Sequence, residues 1–183
     1  MPDLTVRRRT ALGGMLRGAA LLTLPTPSWA DDSTDELRRR WQTLLTGGLS
    51  VDPADPDLAV AIAAVDKLAR SALTTLDRSA SRTTLWPDLA STTLSNHVAS
   101  SFRRVEQIAI AWATNGSAYQ GNESVVVADI LGAIDWMHPN RYSPTLPRYD
   151  NDYDWEIGGA SAFADTLVLL YDVIPADLRT TYT

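Results

Sequence analysis

Cysteine is absent from all 183 residues. That excludes disulfides, zinc–thiolate sites, iron–sulfur clusters and thiol nucleophiles. Histidine is almost absent: His97 and His138 are the only two, too few for a histidine-rich metal site. Positive charge is the minority sign, with 16 Lys+Arg against 22 Asp+Glu and a net charge of −6. Phosphate binding draws on clustered basic residues, so nucleic acid is not an expected partner. Long apolar runs are missing too. Spanning a bilayer takes about 20 apolar residues, but the stretch Leu12 to Leu24 is shorter and carries Arg17, so no stable membrane anchor is expected. Strand patterns are also missing. The one β-branched run, Val125-Val126-Val127, sits inside a helical period. What remains is 45% hydrophobic and 21% charged, ordinary for one soluble globular domain. Six tryptophans stand out, because such rings either fill a core or line a binding surface.

The first thirty residues read as an address. Arg7-Arg8-Arg9 is a positive start, Leu12 to Leu24 an apolar middle, and Ser28-Trp29-Ala30 a small-x-small cleavage site after Pro25 and Pro27. That order predicts a secretory signal peptide over 1–30, and the paired arginines point to the twin-arginine route. The mature chain, 31–183, would lose four arginines and one aspartate and carry −9. It is expected to be secreted and extracellular, held by its core alone.

The rest reads as helix after helix. Ser33 and Glu36 form a capping box ahead of Leu37, Trp41, Leu44 and Leu45 at helical spacing, stopped by Gly47-Gly48. Asp55-Pro56 opens a second helix striped by Leu58, Ile62, Val65, Leu68, Ala69, Ala72 and Leu76. A third carries Leu94, Val98, Phe102, Val105, Ile108, Ala109 and Trp112. A fourth, capped by Asn122, carries Val126, Ile130, Ala133, Ile134 and Met137. Residues 140–154 read as a long loop. A fifth helix holds Ala160, Phe163, Leu167, Leu170 and Tyr171, and Pro175-Ala176-Asp177-Leu178 starts a sixth. Trp41, Trp112 and Trp136 fall on these stripes and are expected in the core. Helical pairs recurring at about 35–45 residues predict an all-α fold of stacked antiparallel hairpins, a solenoid or toroid.

The segment Tyr149 to Gly158 carries four carboxylates, one amide and three aromatic rings. Such a loop can stack a pyranose on a ring and bond its hydroxyls. Three other uses stay open. Asp154 and Glu156 could serve glycoside hydrolysis, although at i, i+2 they would point apart on a helix. Asp150, Asp152 and Asp154 alternate as in a calcium loop, but Trp155 stands where that loop needs glycine. In the plainest alternative, Trp155 and Ile157 are core and the aspartates are loop caps.

Trp155-Glu156-Ile157-Gly158, with Asn151 before it and Asp165 to Asp172 after it, resembles polysaccharide lyase family 8, whose signature runs Asn-Trp-Trp-Asp-Trp/Tyr-Glu-Ile-Gly. Trp41 to Gly47, Ser81 to Leu89, Gly116 to Asn122 and Ala133 to Met137 resemble further segments of that family in the same order. The resemblance implies an (α/α) toroid, here an incomplete one, and an acidic polysaccharide partner such as hyaluronan, chondroitin or a xanthan-like polymer. It implies β-elimination without a cofactor: an Asn neutralises the uronate carboxylate and a Tyr, helped by a His, moves the proton. In the family the catalytic Asn, His, Tyr and Arg lie beyond Thr183, so no catalytic or metal-binding residue is expected in this chain. Substrate-binding residues are expected at Asn151, Asp152, Tyr153 and Trp155. The family's tryptophan pair is replaced by Asp152 and Tyr153; Tyr153 can still stack, whereas Asp152 would repel a uronate. Arg82 is expected to anchor Asp88 or touch substrate, Trp86 to pack its loop, and His97 and His138 to be structural. The alternative is a non-catalytic exported helical module that binds a glycan or a protein.

Overall fold

The computed structural model describes residues 28–182, and the expected signal peptide lies outside them apart from Ser28 to Ala30. Six α-helices follow one another: α1 (Ser28–Thr46), α2 (Pro56–Thr75), α3 (Asn96–Ala113), α4 (Ala128–Asn140), α5 (Gly159–Leu170) and α6 (Ala176–Tyr182). Glu123–Val127 and Asp154–Gly158 are π-helical turns that run into α4 and α5. No strand occurs among the described residues, and no described helix is long and apolar enough to cross a membrane.

The local signals act where the sequence places them. Asp55 accepts a hydrogen bond from Asp57 N at 2.9 Å, and Pro56 opens α2. Asn122 takes the Val125 N–H at 3.3 Å ahead of α4. One start differs. α1 begins at Ser28, five residues before the Ser33 box, because Ala30, Asp31 and Asp32 also tolerate helix and capping signals do not forbid an earlier start.

α3 is the central element and packs against both α2 and α5. Val98, Phe102, Val105, Ile108 and Ala109 are buried, and Val126 of the first π turn closes over them with Ile130, Ala133, Ile134 and Met137 of α4. Two glycines set the α3–α5 approach. A Cβ at Gly158 would lie 3.5 Å from Ala99 Cβ, and one at Gly159 3.4 Å from Phe102 Cδ2 and 3.6 Å from Ala99 Cα of α3. Trp86 is fully buried, and its indole N–H meets Ala72 O at 2.9 Å. That carbonyl belongs to the last turn of α2, where no backbone partner remains. The loop is thereby packed on the helices.

Several sequence expectations are corrected here. Leu37 and Leu44 of α1 are 66% and 75% exposed, and Trp41 is half-exposed rather than core. A helical stripe marks a face able to pack and does not supply the partner. Leu58, Leu68 and Leu94 are exposed for the same reason. Trp112 and Trp136 are half-buried against the core. Arg82 does not hold Asp88; it donates to the carbonyls of Ser79 and Gly132 at 3.2 and 3.1 Å. Asp88 is held instead by a bidentate bond from Arg104, at 2.8 and 2.5 Å, which keeps its carboxyl below the usual range.

Candidate functional site

The segment 149–158 bridges the long loop and α5. Asp150 has a left-handed backbone, φ 64°, which turns its carboxylate back toward α3. There it accepts from the N–H of Ser95 at 3.1 Å. The Ser95 hydroxyl donates to Asp154 at 2.7 Å, with Asp150 sharing that proton at 3.1 Å, and accepts from Asn151 N at 3.1 Å. Ser95 itself is fully buried. Two of the four carboxylates are therefore caps, joining the start of α3 to the start of the π turn.

The remaining groups face outward. Asn151, Asp152 and Tyr153 are exposed, Tyr153 by 56%. Asn151 Oδ1 accepts the Tyr153 N–H at 3.0 Å, which leaves the amide's two N–H donors directed elsewhere. Arg103 of α3 lies beside them: its Nη2 and Tyr153 Cε1 are 3.6 and 3.7 Å from the point where a Gly158 Cβ would sit. Glu156 is paired with Arg148 on the surface.

Trp155 lies elsewhere. It is 4% exposed, its indole N–H donates to Tyr149 O at 2.9 Å, and its ring stacks on Tyr142 with centroids 5.8 Å apart. Tyr142 donates its hydroxyl to Trp155 O at 2.9 Å, and burial raises its pKa. Trp155 forms part of the wall of a cavity of about 400 Å³ that Phe102, Tyr142, Phe163, Tyr182 and His138 also line. The structure thus brings Asn151, Asp152 and Tyr153 together at the surface and places Trp155 behind them, in the aromatic wall. Ile157, by contrast with the core alternative, is 52% exposed.

The two histidines take structural places. His97 is half-buried and accepts from Ser91 N at Nδ1, 3.1 Å, which fixes the tautomer. His138 closes α4 edge-on to Tyr182. No group of three or more potential metal ligands gathers among the described residues. Sequence reasoning missed two residues. Ser95 sits in a Ser/Thr-rich stretch that gives no sign of burial. Arg103 is one of an adjacent arginine pair, and nothing along the chain says which of the two reaches the loop.

Comparison with known proteins agrees with this architecture. The family described as polysaccharide lyase family 8, N terminal alpha-helical domain, matches residues 41–183. A xanthan lyase from Bacillus sp. (strain GL1) is 40% identical over 180 residues, covering 93% of this chain and 19% of its own. Hyaluronate lyase HylB from Cutibacterium acnes (strain DSM 16379 / KPA171202) is 34% identical, covering 95% and 22%. The solved Paenibacillus xanthan lyase superposes with a TM-score of 0.78 at 30% identity, over 82% of this chain and 14% of that one. The Streptomyces coelicolor A3 chondroitin AC lyase gives 0.70 at 27% identity, over 82% and 20%. The chain spans about a fifth of the length of the curated relatives it matches. With the match running through most of its residues and nearly all of its described helices, the chain belongs to polysaccharide lyase family 8, within that family's N-terminal alpha-helical domain.

Proposed function

We propose that this chain forms part of the glycan-binding face of an exported family 8 lyase. Its helices would be part of an (α/α) toroid, and residues 1–30 would direct export. The substrate would be an acidic, uronate-containing polysaccharide of the hyaluronan, chondroitin or xanthan kind, cleaved by β-elimination. The chain's own residues bind the glycan, and proton abstraction needs groups other than these. The observation that carries this reading is the exposed row Asn151-Asp152-Tyr153 with Arg103 beside it. Tyr153 offers a ring face for a pyranose, the free Asn151 donors suit a carboxylate, and Arg103 supplies positive charge. Asp152 opposes them, so binding is expected to be weak.

Titration of the chain with a uronate oligosaccharide tests this. Binding that falls with Tyr153→Ala and with Arg103→Ala supports it. Affinity unchanged in both variants removes the loop from the glycan site. A second reading is then favoured by the Ser95 network: the loop serves only to cap α3 and start α5.

A further inference from the structure

The turn that follows α3 contains Asn115-Gly116, the one Asn-Gly step in the sequence. A glycine after asparagine leaves its backbone nitrogen unhindered, so that nitrogen can attack the asparagine side-chain amide. The fold cannot exchange this glycine: its φ is 81°, and a Cβ there would lie 2.5 Å from Pro53 Cβ. Asn115 is half-buried and Gly116 is exposed to water. Yet the groups that the reaction needs are engaged. The Gly116 N–H donates to Gln120 Oε1 at 2.9 Å, and Gln120 Nε2 donates back to Asn115 Oδ1 at 3.2 Å. Asn115 Nδ2 donates to Val51 O at 2.9 Å, in the loop between α1 and α2. Gln120 is itself anchored. Its backbone N–H donates to Ser117 O at 3.1 Å, and the Ser117 hydroxyl donates to Asp66 of α2 at 2.6 Å.

We propose that Asn115-Gly116 is a site of spontaneous deamidation, and that Gln120 holds it shut in the folded chain. The reaction needs only water. A solvent base removes the Gly116 N–H proton, the nitrogen bonds to Asn115 Cγ, and Nδ2 takes a proton from water and leaves as ammonia. The succinimide so formed takes up one water at either carbonyl, giving aspartate or isoaspartate at position 115. Gln120 opposes the first step twice. Its Oε1 occupies the proton that the base must reach. Its Nε2, together with Val51 O, fixes the plane of the Asn115 amide. Both Gln120 bonds must open before the nitrogen can attack. Conversion has a consequence for the fold. An ionised acid has no donor for Val51 O, so the tie from α3 to the loop between α1 and α2 is lost. Neither the site nor its latch depends on glycan binding.

Peptide mass spectrometry of the full chain, held at mildly alkaline pH, follows the conversion of residue 115. The unmodified chain should convert far more slowly when folded than in urea. Folded Gln120→Ala should convert roughly tenfold faster than the unmodified chain, the order expected from losing both bonds. The products should include isoaspartate, which marks the succinimide route. No conversion even in urea overturns the site. A rate unchanged by Gln120→Ala, or equal in the folded and urea-unfolded unmodified chain, overturns the latch. Should Gln120→Ala fail to fold, hydrogen exchange of the Gly116 amide in the unmodified chain decides. Protection supports the latch, because Gln120 is the partner of that amide, and exchange at the unprotected rate overturns it. Asn115→Asp tests the consequence. Residues 48–55 should exchange faster than in the unmodified chain, and unchanged exchange there would mean that the Val51 bond does not tie the loop.

Discussion

At the scale of single residues, Ser95 and Asp152 make opposite demands on one loop. Ser95 is buried, and its hydroxyl satisfies Asp150, Asp154 and the Asn151 N–H. Ser95→Ala leaves those groups short of a partner. It should cost about 1–3 kcal/mol, the usual range for a buried polar group left unsatisfied, and urea unfolding would measure it. Asp152 makes no contact that the loop needs for its shape, so replacing it should change binding and not folding. Asp152→Trp removes a charge worth about 1 kcal/mol at 4 Å in water. The ring adds stacking of about 0.5–1.5 kcal/mol, with aromatic pairs as the proxy. Since about 1.4 kcal/mol is one decade, affinity for an acidic oligosaccharide should rise roughly tenfold. Tyr153→Ala in that background should remove about half of the gain, read by calorimetry. Unchanged or weaker affinity for Asp152→Trp would mean that this face does not meet the sugar. The family signature picks out Asn151, Asp152 and Tyr153 in the sequence, and their exposure is what the structure adds. The burial of Trp155 was not legible there, because the same residue type suits a platform and a core.

At the scale of elements, the helices divide into those that build the core and those that rest on it. α3 and α4 bury their stripes almost completely, as their periodicity predicts. α1 has as regular a stripe as either, yet Leu37 and Leu44 are exposed. Periodicity reports the amphipathic face, and only tertiary contacts decide whether anything covers it. The same limit explains Asp88. Its neighbour in sequence, Arg82, was the obvious partner, but the fold brings Arg104 of α3 to it at the surface. Stability should follow this division. Phe102→Ala, in α3 among Tyr142 and Phe163, should cost about 3–5 kcal/mol. Leu37→Gln and Leu44→Gln should each stay within about 0.5 kcal/mol, the range for exposed sites. Equal losses for Leu44→Gln and Phe102→Ala in urea unfolding would mean that α1 is buried in solution.

At the scale of the whole molecule, one continuous core runs from α2 through α3 and α4 to α5, while α1, the loop after it and the outer side of α2 leave Leu37, Leu44, Leu49, Val60 and Leu68 exposed. A cooperative melt is expected from the first feature and binding of an apolar dye from the second. The double variant Leu37→Gln/Leu44→Gln should reduce dye binding without lowering the melting temperature; undiminished binding would place the apolar surface elsewhere. If residues 1–30 direct export, N-terminal sequencing of the exported protein should start at Asp31. The central proposal is that this chain holds an acidic glycan through its 149–158 loop and that its own residues do not cleave it. Titration with a hyaluronan or chondroitin oligosaccharide, followed at once by calorimetry and by ultraviolet absorbance, tests it most directly. The account predicts saturable binding that Tyr153→Ala weakens, with no rise from unsaturated uronate. Turnover by the pure chain, or binding indifferent to Tyr153, would contradict it.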